Sequence, residues 1–108
     1  MYKLKLYITG RTPGSQKTIK NIQTMFETNC GGRYSLDVID VFENPEEAYE
    51  AMILATPTLI KTLPAPVRKL VGDLSNRERV LAGLDIEDMK PVFDIYGNAD
   101  EHDYFRDV

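Results

Sequence analysis

Between Tyr2 and Val41 the apolar residues follow a strand period, then a helix period, then a second strand run, and that order leaves few folds open. Tyr2 to Thr9 alternates Leu4, Leu6 and Ile8 against Lys3, Lys5 and Tyr7, the period of two expected of a strand. Gly10 to Gly14 turns the chain. Thr12 is placed to cap a helix and Pro13 to take its first position, where a missing N–H has no intrahelical partner to lose. Ile19, Ile22, Met25, Phe26 and Cys30 form the apolar stripe of that helix, and Gly31-Gly32 ends it. Tyr34 to Val41, with Leu36, Val38, Ile39 and Val41, is nearly continuously apolar, as suits a strand covered on both faces. A helical crossover of this length implies parallel strands and a right-handed connection. The first 41 residues therefore predict an α/β domain.

The second half carries weaker signals. Asn44-Pro45 starts a helix, with Asn44 as cap and Glu47 placed to return a capping-box bond, running to about Ala55. Thr58 to Lys61 reads as a brief strand, Leu63-Pro64-Ala65-Pro66 as a stiff turn, and Val67 to Gly72 as another strand. A last helix is expected from Ser75, where Ser-x-x-Glu to Glu78 forms a capping box and Val80, Leu81 and Leu84 supply apolar anchors. Gly83 weakens its end.

Charge divides the chain further. Residues 85–108 hold eight acids against Lys90 and Arg106, a net of −6, whereas residues 1–84 carry +2 within a total of −4. We expect one domain over residues 1–85 and a loosely held acidic tail over 86–108. A mildly basic body with an acidic tail gives no case for nucleic acid, which calls for a clustered basic face. No apolar run reaches the ~20 residues of a membrane span, and Met1 leads directly into a strand pattern, so a cytoplasmic protein without a membrane partner is expected. The single cysteine, Cys30, excludes an internal disulfide, a Cys-x-x-Cys pair and a cysteine-cluster metal site. Its place on the apolar stripe argues for packing.

Little else suggests catalysis. His102, the only histidine, lies among Asp100, Glu101 and Asp103, where a solvated tail explains it better than a metal site, and no Ser/His/Asp set can be assembled. Glu46 and Glu47 suit a helix start, where the dipole favours acids. The loop Gly10-Arg11-Thr12-Pro13-Gly14-Ser15 lacks the Gly-Lys-Ser/Thr ending of a phosphate loop. Arg68 and Lys69 on the fourth strand, and Arg77 and Arg79 on the last helix, are either solvated or a surface for an acidic partner or a second copy, docked by strand addition. No cofactor or metal is expected.

The order strand, helix, strand, helix, strand, strand, helix, with Thr56-Pro57 leading into the third strand, resembles a thioredoxin-like domain. X–Pro bonds are cis in only about 5–6% of cases in folded proteins, so the expectation of a cis Thr56–Pro57 comes from the resemblance. In such folds the redox pair follows the first strand. Here that position reads Thr12-Pro13-Gly14-Ser15, without a thiol, which argues against thiol–disulfide exchange.

Longer strings narrow the resemblance. Gly10-x-Thr12-Pro13-x-Ser15, Val38-Ile39-Asp40-Val41, Ile53-Leu54-Ala55-Thr56-Pro57-Thr58-Leu59, Leu63-Pro64-x-Pro66-Val67-Arg68 and Gly72-Asp73-Leu74-Ser75-x-Arg77-Glu78-x-Val80-Leu81-x-Gly83-Leu84-Asp85 are similar to the KaiB family of circadian-clock proteins over residues 2–85. The resemblance implies a non-enzymatic regulator of the hexameric KaiC-type ATPase. It also implies two folded states that share the N-terminal βαβ: a thioredoxin-like monomer that binds the ATPase, and a self-associated tetramer with a repacked second half. It assigns the balance between states to Gly83 and Asp85, and partner binding to the second helix and its end, Glu46, Tyr49, Glu50, Ala51 and Met52, beside the Thr56-Pro57 turn. A glycine at position 83 tolerates a left-handed helix end in one state and a different backbone angle in the other. The edge at Val41 would pair with a further clock protein, KaiA, but Met52 and Glu43 stand where basic residues are common, which leaves KaiA open. The alternatives are a stand-alone thioredoxin-fold adaptor or stress-response protein and, disfavoured by the missing thiols, a thioredoxin-type oxidoreductase.

Overall fold

The first strand lies inside a four-stranded sheet and organises everything else. In the computed structural model, which describes residues 1–88, the elements are β1 (Tyr2–Ile8), α1 (Pro13–Cys30), β2 (Tyr34–Asp40), α2 (Pro45–Glu50), β3 (Thr58–Leu63), β4 (Arg68–Val71) and α3 (Arg77–Gly83). The expected tail from residue 89 onward, with His102, lies outside the described residues. The sheet order is β2-β1-β3-β4, with β1 parallel to β2 and antiparallel to β3, and β3 antiparallel to β4.

Strand alternation sends neighbouring side chains to opposite faces. Leu4, Leu6 and Ile8 of β1 and Leu59 of β3 meet Ile22 and Phe26 of α1 and Val80, Leu81 and Leu84 of α3 in the main core. On the other face Tyr7, Ile39 and Ile60 pack with Val41, Ala51 and Ile53, a small cluster roofed by α2 and the segment after it. Helices therefore cover both faces, the sandwich that parallel pairing of β1 and β2 requires.

The N-terminal βαβ follows the sequence closely. The Ser15 N–H donates to Thr12 Oγ1 at 3.1 Å, Pro13 opens the helix, and Gly31 closes it at φ 61. Cys30 is buried, and burial pushes its thiol pKa up, so it packs and is not poised as a thiolate.

The second half departs in several places. β2 is an edge strand covered on both faces, Leu36 and Val38 packing on the main core and Ile39 on the small cluster, although only Ile39 and Asp40 are fully buried. β3, expected to be brief, spans six residues between β1 and β4, and its first four residues are all buried. α2 stops at Glu50, short of Ala55, and Asn44 makes no side-chain cap. The Asn44 side-chain amide donates instead to the Asp40 carbonyl at 3.2 Å, and Glu47 does not return a capping bond but accepts from the Tyr7 hydroxyl at 3.4 Å. α3 begins at Arg77, not Ser75, because the Ser75 N–H is taken by the Asp73 carboxylate while Asn76 Oδ1 accepts from the Arg79 N–H. Hydrogen bonding from Ser75, its hydroxyl first and its backbone N–H second, holds the Asp73 pKa below its ordinary value.

Contacts also run past Asp85. Ile86 is buried in the main core, the Glu87 carbonyl accepts from the Asn29 amide at 3.2 Å, and Asp88 pairs with Arg77 at 2.7 Å.

Candidate partner-binding face

α2 is six residues long and cannot stand alone; helices this short are marginal in water without tertiary support. Two anchors hold it. Ala48 is buried, and from β4 the Lys69 ammonium donates to the Ala51 carbonyl at 3.1 Å and the Met52 carbonyl at 3.4 Å. A cation at the C-terminal carbonyls of a helix satisfies orphan acceptors and complements the dipole.

The helix then closes in a Schellman motif. The Met52 N–H donates to Tyr49 O and the Ile53 N–H to Ala48 O, both at 3.0 Å, with Met52 left-handed at φ 57 and Ile53 turned into the small cluster. α3 ends the same way: Asp85 N–H to Ala82 O, Ile86 N–H to Leu81 O, and Asp85 left-handed at φ 60. Met52 and Asp85 are the two non-glycine residues with positive φ among the described residues. In this arrangement the left-handed residue at the end of α3 is Asp85, and Gly83 lies within the helix.

Gly83 answers to packing. A Cβ built on it would lie 3.1 Å from Leu70 Cδ1, so its missing side chain lets α3 settle onto β4.

Replacing a left-handed residue with glycine removes a steric cost of roughly 1–2 kcal/mol and adds chain entropy of roughly 0.5–1 kcal/mol. Met52→Gly should therefore raise the unfolding free energy by about 0.5–1 kcal/mol, and Asp85→Gly by less, because aspartate tolerates this region better. Urea denaturation reads both. A lower midpoint for Met52→Gly would contradict the strain.

Around α2 the surface is apolar. Tyr49 is 84% exposed, Met52 70%, Leu54 93% and Phe42 72%, with Glu46 and Glu50 exposed among them. Large residues this exposed within one 13-residue stretch form a patch of the kind that marks an interaction site. Glu47 is not part of it, being tied inward to Tyr7 and lying 3.7 Å from Lys5. Burial and the Glu47 charge raise the Tyr7 pKa.

The Thr56–Pro57 peptide is cis, as are Leu63–Pro64 and Ala65–Pro66. Thr56 Oγ1 lies 2.6 Å from Thr9 Oγ1, beside a cavity of about 350 Å³ that Thr12, Ser15 and Pro57 also line. In a thioredoxin this position carries the thiol pair. Here it holds hydroxyls, and Cys30 sits at the opposite end of α1, about 25 Å along the helix at 1.5 Å per residue. No group of three or more His, Cys, Asp or Glu suited to a metal occurs among the described residues, and no described helix is long and apolar enough to cross a membrane.

The sites assigned by resemblance fall into two sets on opposite faces: α2 with Met52 over the small cluster, and Gly83 with Asp85 over the main core. β4 joins them, since Lys69 reaches α2 and the next residue, Leu70, seats Gly83. Sequence reading missed that link and two further residues. Asp40, buried at the end of β2, accepts the N–H groups of Gly10 and Phe42, both at 3.0 Å, tying the loop before α1 to the loop before α2. Its signal was an acid inside an otherwise apolar run. Lys61, 1% exposed on β3, had no signal beyond being a lysine in a strand.

A four-stranded β2-β1-β3-β4 sheet with helices on both faces, a cis proline before β3 and hydroxyls where a thiol pair would stand define a thioredoxin-like domain without the thioredoxin dithiol. The chain belongs to the KaiB family: the model of the KaiB domain matches residues 5–86. A circadian clock oscillator protein KaiB from a Picosynechococcus species is 56% identical over 85 residues, which cover 79% of this chain and 82% of that one. The KaiB of Synechococcus elongatus is 48% identical over 104 residues, covering 96% and 94%. Among solved structures, the N-terminal domain of Synechococcus elongatus SasA is similar at 29% identity and a TM-score of 0.59, covering 78% of this chain and 83% of that one. Thioredoxin 1 of Thermosipho africanus superposes with a TM-score of 0.60 at 18% identity, covering 77% and 90%, and shares the fold alone.

Proposed function

We propose that this chain is a non-enzymatic cytoplasmic regulator of circadian or diurnal timing, acting by reversible binding to a hexameric KaiC-type ATPase. The observation that carries the reading is the exposed apolar stretch from Phe42 to Leu54 around α2, in a chain whose relatives are clock oscillator proteins. Tyr49 and Met52 would supply the buried contact, with Glu46 and Glu50 at its rim and Ala51 at the close of the helix. Aromatic and methionine side chains are enriched in interface cores, and tyrosine is among the residues that carry most of the binding energy.

The proposal includes a second, self-associated tetrameric arrangement of the same chain with the N-terminal βαβ retained. The two left-handed helix ends support it: α1 closes on a glycine, whereas α2 and α3, both in the second half, close on residues that carry a steric cost there. Gly83 and Asp85 bias the balance in this reading. An ATPase that captures the thioredoxin-like state binds with an apparent affinity reduced by the fraction of chains in that state. A KaiA-type partner at the β2 edge is left open, as Glu43 and Met52 are not basic. A second reading is a stand-alone thioredoxin-fold adaptor that does not switch, which needs only the thioredoxin-like fold shared with the SasA domain.

Light scattering after gel filtration tests the binding. A mixture with a KaiC-type hexamer should give a complex larger than either component, and Tyr49→Asp should lose it with the free protein's circular dichroism unchanged. Failure to bind the KaiC-type ATPases of its host would sink the proposal.

A further inference from the structure

We propose that the open edge of β4 docks an extended acidic segment of a partner protein, which joins the sheet as a fifth strand beside Arg68, Lys69 and Arg79. The sheet order leaves β4 at the rim, with no strand beyond it among the described residues. The β3–β4 register sets Thr58 against Val71, and the Gly72 N–H donates to the Pro57 carbonyl at 3.0 Å. Antiparallel ladder bonds fall on alternate residues, so Arg68 and Leu70 turn their backbone groups to β3 while Lys69 and Val71 turn theirs outward. Of the outward groups the Val71 carbonyl accepts from Arg79 Nη2 at 3.4 Å. The Lys69 N–H, the Lys69 carbonyl and the Val71 N–H are left to bond an incoming strand.

The side chains define what fits. Lys69 reaches α2, so it and Val71 share the α2 face, whereas Arg68 and Leu70 share the α3 face. Val71, Arg68 and Arg79 are all exposed. The two ion pairs among the described residues, Lys5–Glu47 and Arg77–Asp88, include none of Arg68, Lys69 and Arg79. Arg68 bonds to the neighbouring Val67 carbonyl at 3.3 Å, and Arg79 to the carbonyls of Val71 and Asp73. The Asp73 carboxylate is itself engaged by Ser75. Three cations at one strand edge thus lack a carboxylate. The matching strand alternates apolar side chains, toward Val71, with carboxylates, toward Arg68 and Arg79. Arg77 stands apart from this set because Asp88 already pairs with it.

Charge also decides the occupant. Main-chain bonds give strand addition its affinity and alternate side chains its specificity. A second copy adding its own β4 about a two-fold axis would bring both sets of cations to one seam, and like charges across strands destabilise the pairing. Basic residues on a sheet edge commonly guard against edge-to-edge association. Here that guard turns away another copy and admits an acidic strand.

Amide NMR on the full chain tests this with a short, end-blocked peptide of alternating valine and glutamate. The peptide should shift the Lys69 and Val71 amides and slow their hydrogen exchange, and a valine–lysine peptide should do neither. Arg68→Glu/Arg79→Glu should weaken binding by about tenfold or more, since like charges then face each other. Arg68→Glu alone should lose part of it, and unchanged β1 amide shifts would show that either variant folds. Equal binding by a glutamate peptide methylated on alternate backbone nitrogens would overturn the proposal, because charge alone would then suffice. Shifts centred on Lys17 and Lys20, with β4 unmoved, would also overturn it. So would a doubled mass of the free chain that Arg68→Glu abolishes, since the edge would then serve a second copy.

Discussion

Lys61→Met is expected to lower the unfolding free energy by roughly 2–4 kcal/mol, because two carbonyls lose their donor while the apolar stem stays in place. Lys61 stands opposite Leu4 in the β1–β3 register and is 1% exposed, yet its ammonium donates to the carbonyls of Pro64 and Pro66, each at 2.8 Å. Prolines have no N–H to exchange, so the turn Leu63 to Val67 has few backbone donors of its own, and the lysine supplies them from inside. Removing the charge also removes its desolvation cost, which opposes the loss and keeps the figure from being larger. Pro64 and Pro66 are exposed, so water relieves part of the deficit. For a domain of this size each kcal/mol corresponds to about 4–8 °C, so thermal unfolding should fall by roughly 10 °C or more. An unchanged melting temperature would show that the turn holds without the ammonium.

Gly83→Val is expected to cost about 1–3 kcal/mol, and Gly83→Ala close to nothing. A single Cβ meets the Leu70 side chain, its terminal methyls at 3.1 and 3.3 Å and its Cγ at 3.6 Å, and a side chain that is half-buried can give by a few tenths of an ångström. The gain in helix propensity from glycine to alanine, up to about 1 kcal/mol, offsets that adjustment. Valine adds two branches into the same space and is stiff at χ1, so the helix must lift from β4. Urea midpoints for the pair, measured side by side, separate packing from backbone freedom. Equal losses for alanine and valine would mean that Gly83 is needed for its backbone and not for its lack of a side chain.

The N-terminal βαβ was legible because its signals are local. Thr12, Pro13 and Gly31 act within one turn of where they stand, and the apolar period of Ile19 to Cys30 needs no partner to be read. The second half resisted because neighbours compete. Ser75 and Asn76 can both cap a helix, and the choice went to Asn76 once Asp73 had engaged the Ser75 N–H. Asn44 was drawn away by the Asp40 carbonyl, a tertiary partner that no local motif announces. The left-handed turns at Met52 and Asp85 were hidden for another reason: neither residue type signals that conformation as glycine does. The α2 face itself entered through resemblance, and only exposure in the folded chain separates Tyr49 and Met52 from Glu47, which is tied inward to Tyr7.

β4 has only four residues, lies at the rim of the sheet, and makes adjacent contacts that point opposite ways, Lys69 to α2 and Leu70 to α3. It works as a two-sided latch. Peeling it from β3 would remove in one motion the cation at the end of α2 and the seat of Gly83, so neither helix can be loosened through this strand without the other. An edge strand that opens in this way turns two separate surfaces into one cooperative unit, and a ligand that grips either helix would strengthen the hold on both.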